Sequence, residues 1–154
     1  MEQKTTCQIC ERVIKSNTGV IAHHGYTRPD RGSGWQTASC WGARHLHYEK
    51  YCDQIQPCID FINAFITRQK EWVRDFMKNP PETITDIPWI GAKERVFTRP
   101  EAFNTVTSME KGSHSYNSYD HEFCSKVSKA RRQIADSTRD VKRLTERLAN
   151  WKLQ

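Results

Sequence analysis

The chain has no apolar run long enough to cross a bilayer, and nothing after Met1 resembles the apolar core of a secretory signal. These absences set the expectation of a cytosolic protein without a membrane partner. Apolar residues are scarce, at 36% of 154 residues, and the mean hydropathy is −0.81. A chain so poor in greasy side chains buries a modest core at most. It needs a further source of order, such as a metal, a partner chain or long helical seams. Also missing are a glycine-rich phosphate loop, a nucleophile elbow and a carboxylate pair at catalytic spacing. The expectation is therefore a protein that is not an enzyme.

Charge, by contrast, is plentiful and unbalanced. The net value is +6 and the isoelectric point is about 9.1. Residues 1–50 carry +3, residues 51–119 carry −1 and residues 120–154 carry +4. Two basic ends around a neutral middle suit contact with nucleic acid or an acidic protein surface.

Six cysteines are present. In a reducing compartment they point to metal or to free thiols before disulfides. Cys7-Gln-Ile-Cys10 has the C-x2-C spacing that lets two thiolates from one tight turn grip one ion. Cys40 supplies a third sulfur, and His23, His24, His45 and His47 offer a fourth ligand. His24 is the first choice, because it falls on an expected strand returning past the Cys7/Cys10 turn, and His45 is the alternative. The expected strands are Arg12–Lys15 and Val20–His23 around a Thr18-Gly19 turn, with a second turn over 30–34. Four ligands of this kind make a closed, structural zinc site. Residues 1–50 then form a small zinc-ribbon or treble-clef-like module. Glu11 stands directly after Cys10, where a glycine often relaxes the turn. Cys52, Cys58 and Cys124 read as small core hydrophobes.

Two helices are expected. Over 53–78, Ile55, Cys58, Ile62, Phe65, Gln69, Trp72 and Phe76 step alternately by three and four, a coiled-coil spacing. Ile59, Ile66 and Val73 lie beside that seam. Asn79-Pro80-Pro81 ends the helix. Over 120–152, Phe123, Val127, Ala130, Ile134, Ser137, Val141, Leu144, Leu148 and Trp151 repeat the pattern without Gly or Pro. Such helices pair as an antiparallel hairpin within residues 51–154, or between two copies as a homodimer. The connector, 79–119, reads as non-helical, with a β-hairpin from Glu82–Ile87 and Arg95–Arg99 and a loop from Gly112. The fold class is α+β, mainly α.

Arg28, Arg31, Trp35, Trp41 and Arg44 crowd the metal-binding segment. Trp35 and Trp41 suit a miniature core over the metal, while Arg28, Arg31, Trp35 and Arg44 suit contact with a partner or a nucleic acid. On the last helix, Lys129, Arg132, Arg139 and Arg143 lie off the apolar seam and are candidates for the same role.

Cys7-Gln-Ile-Cys10, Ile21-Ala-His-His-Gly-Tyr-Thr-Arg-Pro29 and Gly34-Trp-Gln-Thr-Ala-Ser-Cys40-Trp-Gly-Ala-Arg-His45 resemble segments of small uncharacterised proteins of tailed phages and prophages. Thr98-Arg-Pro-Glu-Ala-Phe103 and the Arg-rich helix ending near Trp151 are similar to them too. Those proteins have a zinc-finger-like N-terminus followed by helices. The resemblance implies a phage accessory protein in the host cytoplasm that binds and redirects a host protein or nucleoprotein complex, such as an anti-CRISPR or other anti-defence inhibitor. Glu11, and His47 where such sequences prefer proline, depart from the pattern. A nucleic-acid-binding regulator is the second expectation. A small HNH-like nuclease using His23 or His24 is the third.

Overall fold

The computed structural model describes residues 3–16, 19–25, 39–87, 91–111 and 118–152. The fold is mixed α and β, dominated by helix, with two small antiparallel β-hairpins. The elements in chain order are β1 (Gln3–Thr6), β2 (Val13–Ser16), α1 (Ile55–Lys78), β3 (Thr83–Asp86), β4 (Arg95–Thr98), α2 (Thr105–Lys111) and α3 (Tyr119–Ala149). No described helix is long and apolar enough to cross a membrane. The chain divides into two compact units, Met1–Ala64 with Thr138–Gln154, and Phe65–Ser137. The boundary drawn from sequence at residue 50 falls inside the first of these.

In the first unit, β1 pairs with β2 from Gln3↔Ser16 to Thr6↔Val13, and the Cys7–Arg12 turn joins them. This corrects the expected hairpin of Arg12–Lys15 with Val20–His23. The segment near Val13 pairs backwards, because a turn built on Cys7 and Cys10 brings β1 against it. Val20 makes one isolated bridge, to Leu46, and His24 lies in coil. The expected turn over 30–34 lies outside the described residues. Cys7, Ile9, Ile21, Ile55, Cys58, Ile59 and Leu144 form the buried core, with Val141 and Leu148 packed on it.

In the second unit, the core is Ile84, Tyr119, Phe123 and Val127. Phe123 stacks on Phe76 (4.9 Å, 13°) and meets Phe103 edge-on (5.1 Å, 69°). The expected hairpin is present, from Thr83↔Thr98 to Asp86↔Arg95, and its last pair is also an ion pair. The connector is not free of helix, however. Thr105–Lys111 forms α2, although its β-branched first turn is a poor helix former. Asn104 caps it, accepting a bond from the Thr107 N–H at 3.1 Å. Its Ser108 carbonyl accepts from the Cys124 thiol at 3.2 Å. Tertiary contact and a cap override propensity there. Most of the expected loop from Gly112 lies outside the described residues.

The two long helices run about 36 and 46 Å at 1.5 Å per residue. The Ser118 hydroxyl caps α3 at the His121 N–H (3.2 Å), and Asp120 and Glu122 in the first turn complement the helix dipole. On α3 every expected seam position is buried or half-buried. On α1 the buried stripe is wider than a coiled-coil seam. Ile59 and Ile66 are buried and Val73 is half-buried, while Trp72 stays 40% exposed.

Phe123→Ala removes the ring on which Phe76 and Phe103 both pack. We expect it to lower stability by about 3–5 kcal/mol, read as a reduced urea midpoint.

Candidate metal centre

Cys7, Cys10, His24 and Cys40 come together, with their ligand atoms all within 4.8 Å of one another. Two short arms of chain deliver them. The first is the turn between β1 and β2, which closes with the Cys7 N–H donating to the Arg12 carbonyl at 3.0 Å. The second is an irregular ladder between 20–25 and 40–46. In it Cys40 N–H donates to the His24 carbonyl (2.9 Å), Ile21 N–H to the His45 carbonyl (2.9 Å) and Arg44 N–H to the Ile21 carbonyl (2.8 Å). His45 thus serves this ladder through its backbone, and its side chain is outside the cluster.

The four side chains could hold a metal ion, and the Cys7–Cys40 edge has the length of a tetrahedral one. Metal–sulfur bonds of about 2.3 Å set two sulfurs about 3.8 Å apart, and the Cys7 and Cys40 Sγ atoms lie 3.8 Å apart. His24 Nε2 sits 3.2 Å from Cys10 Sγ. The other ring nitrogen, Nδ1, lies 2.8 Å from the Ala22 carbonyl, which can only accept. That bond puts the proton on Nδ1 and leaves the Nε2 lone pair facing the sulfurs, as a metal-ligating imidazole requires.

Two glycines make room. A Cβ on Gly42 would lie 2.5 Å from Cys7 Sγ and 3.3 Å from the Ile9 side chain. Gly25, at φ +63°, sits where a Cβ would come within 3.2 Å of the Cys40 Cβ. Glu11 adopts φ 64°, the left-handed conformation that glycine takes without strain. The turn therefore keeps the backbone shape a glycine would give, and the glutamate carries the strain. Its carboxylate meets Arg143 at 2.6 Å and Arg147 at 3.8 Å.

Those two arginines tie the end of α3 to the cysteine turn. Arg143 donates to the Ile9 carbonyl (2.8 Å), and Arg147 to the carbonyls of Gln8 (2.9 Å) and Cys7 (3.1 Å). The Arg147 guanidinium also lies 3.5 Å over the Tyr48 ring. Tyr48 donates its hydroxyl to the Arg147 carbonyl and accepts from Trp151 Nε1 on its own carbonyl, both at 2.7 Å. Gln8 is fully buried. Its amide donates to the Leu46 carbonyl (2.8 Å) and Asp53 (3.0 Å) and accepts from the Gln54 N–H (2.9 Å). Gln8, Tyr48 and Arg147 escaped sequence reasoning. A glutamine between two cysteines and an arginine on a basic helix look like surface residues, and only the 139-residue contact from Gln8 to Arg147 shows otherwise.

The other expected contact residues scatter. Arg143 is engaged with Ile9 and Glu11 and is not available as a free partner contact. Arg44 is exposed, with its Nε donating to His23 Nε2 at 2.6 Å. Lys129, Arg132 and Arg139 are exposed on α3. Arg28, Arg31 and Trp35 lie outside the described residues. Trp41 is 40% exposed and packs on Phe61 (5.1 Å), so it does not sit as a cover inside a miniature core.

The Cys7 thiol is held below its ordinary range, first by the hydrogen bond from Cys40 and then by bonds from Cys10 and Ile9, against the cost of burial. The same shared bond, with burial, pushes Cys40 up. The two shifts run in opposite directions because one hydrogen bond links the pair. Burial likewise raises Cys58 and Cys124, which leaves both as inert core thiols. Glu49 resists the upward push of burial, because bonds from Thr6 and His47 hold its carboxyl below the usual range. That contribution is present above pH 4.5 and is lost as acid protonates the carboxylate through its lowered pKa.

Compared with protein families, curated proteins and solved structures, the chain finds no match in any of the three.

Gly42→Ala should crowd Cys7 by about 1–3 kcal/mol, weakening metal affinity roughly 5- to 150-fold in a competitive chelator titration. Metal affinity should also rise with pH, because Cys40 must lose its proton. The expected slope is about tenfold per pH unit for each proton expelled. Glu11→Gly relieves the strained φ while Glu11→Ala keeps it, so the glycine variant should be the more stable of the two by about 1 kcal/mol. Equal melting of the two would contradict the strain.

Proposed function

We propose that this chain is a non-enzymatic, zinc-stapled recognition protein that acts by binding a protein or nucleoprotein complex. The observation that carries this reading is the closed ligand set of Cys7, Cys10, His24 and Cys40. Three thiolates and one imidazole select zinc among the common divalent ions, and four protein ligands leave no position for water or substrate. A site of that kind organises structure and does not activate a nucleophile. The expected HNH-like role for His23 finds little support, since its Nε2 accepts from Arg44.

The head then reads as a zinc-ribbon or treble-clef-like module, with one ligand pair on the turn between β1 and β2 and the other on the 20–25/40–46 ladder. Two antiparallel helices complete the reading. In the first unit the start of α1 shares a core with the end of α3, and in the second the end of α1 packs on the start of α3.

The partner face we favour is the exposed pair Trp41 and Phe61, held beside Cys40. Buried aromatics dominate protein interfaces, and a metal-fixed turn presents Trp41 with little entropy left to lose. With the resemblance to phage proteins, this supports an accessory protein of the host cytoplasm that modulates host machinery, in the manner of an anti-defence inhibitor. Homodimerisation through the helices is a further part of the proposal.

Elemental analysis and native mass spectrometry of purified protein should find one zinc per chain, and chelation should abolish the cooperative melt of the first unit. Trp41→Ala and Phe61→Ala should keep zinc and melting temperature but lose partner capture from a host lysate by tenfold or more, on the order of a hot-spot truncation. A metal-free protein that melts cooperatively would overturn the proposal, as would cleavage of nucleic acid by the intact chain with Mg²⁺ or Mn²⁺.

A further inference from the structure

The second unit carries a shallow groove of about 230 Å³ formed by α1 and α3. Gln69 and Trp72 line it from α1, and Lys126, Lys129, Ala130 and Gln133 line it from α3. The α3 residues step by three, one and three, which sets them on a single stripe of the helix. The lining therefore combines one indole, two ammonium groups and two carboxamides, with no carboxylate. Among the described residues, neither Lys126 nor Lys129 has an ion-pair partner. Ala130 is buried and small, and so leaves the floor of the groove open.

Trp72 is the unusual member. Its sequence spacing assigns it to the apolar seam, yet 40% of it faces solvent. Its ring stacks on Phe76 (4.6 Å, 20°), and Phe76 stacks on buried Phe123 (4.9 Å, 13°). A three-ring column thus braces the indole from the core while leaving part of it uncovered. An aromatic held rigid and open, with lysines one helical turn apart beside it, is the arrangement that takes a nucleobase and its phosphates.

We infer that this groove is a nucleotide subsite for single-stranded nucleic acid. A base stacks on Trp72, a carboxamide of Gln69 or Gln133 meets the base edge, and Lys126 and Lys129 pair with the flanking phosphates. An acidic peptide would satisfy the lysines but leave the indole without a stacking partner. A duplex covers the faces of its own bases, so it cannot use Trp72. The groove lies wholly in the second unit, so the inference does not depend on the zinc reading. It gives the proposed nucleoprotein partner a chemical handle.

The test is fluorescence anisotropy with labelled 12-nucleotide oligo(dT) and oligo(U), a duplex of equal length and a polyglutamate peptide, at about 50 to 200 mM salt. Single strands should bind best. Trp72→Ala should weaken them roughly 5- to 150-fold, the range of one lost base–aromatic stack, and Trp72→Phe should restore part of the loss. Replacing Lys126 and Lys129 together by Gln should reduce the salt slope of log K by about 1.4, as two lost single-strand phosphate contacts require. Lys129→Glu, at an exposed position with no fold to disturb, should weaken binding more than Lys129→Gln. Absence of single-strand binding at low salt would overturn the inference. So would equal binding of duplex or polyglutamate, or indifference to Trp72→Ala in a protein whose melting is unchanged. Zinc content and lysate capture are measured on the same variants, so a failure here is distinguishable from a failure of the zinc-stapled head.

Discussion

Three sulfurs and an imidazole drawn within 4.8 Å of one another are costly to assemble. Thiolates repel, and burial removes the water that would screen them. The hydrogen bond between Cys7 and Cys40 relieves part of this, holding one thiol low and pushing the other up. A divalent cation answers it better, because its charge offsets the sulfurs and its bonds tie together the two arms that deliver them. The surroundings are arranged around that demand. Gly42 yields the space that Cys7 occupies, Ala22 fixes the His24 tautomer, and Glu11 accepts a left-handed backbone to close the turn.

The N-terminal part of the first unit does not stand alone. Its cysteine turn ends in carbonyls that need donors, and Arg143 and Arg147 supply them from the far end of the chain. Those guanidinium groups also place positive charge beside the cysteine cluster. Gln8 performs the complementary task from within the turn, binding the backbone at Leu46 and Gln54. A small apolar core is thus supplemented by directed polar bonds. The second unit solves the same shortage differently, with stacked rings centred on Phe123.

Much of the candidate site was legible in the chain. Cys7, Cys10, Cys40 and the choice of His24 over His45 agree with the cluster, because ligand chemistry is local and the C-x2-C turn has little freedom. His24 nevertheless reaches the cluster from coil and not from the expected Val20–His23 strand, of which only the isolated Val20–Leu46 bridge forms. Both long helices, the proline stop of α1 and the β3–β4 hairpin were legible too, since periodicity is a property of neighbouring residues. Helix α2 was not, because its cap and packing outweigh a poor local propensity.

The sequence by itself determined the candidate ligands, the periodic helices and the uneven distribution of charge, all of which are carried by residue types and local spacing. Tertiary structure alone decided which basic residues are spoken for and which remain exposed. Arg143 and Arg147 read like any solvated helix arginine, yet they bind a turn more than 130 residues away. Trp72 reads as core, yet it stays open because the buried stripe of α1 is broader than its heptad spacing suggests. Hydrogen-bond demand and packing between distant segments settle such questions, and neither leaves a mark in the local pattern of the chain.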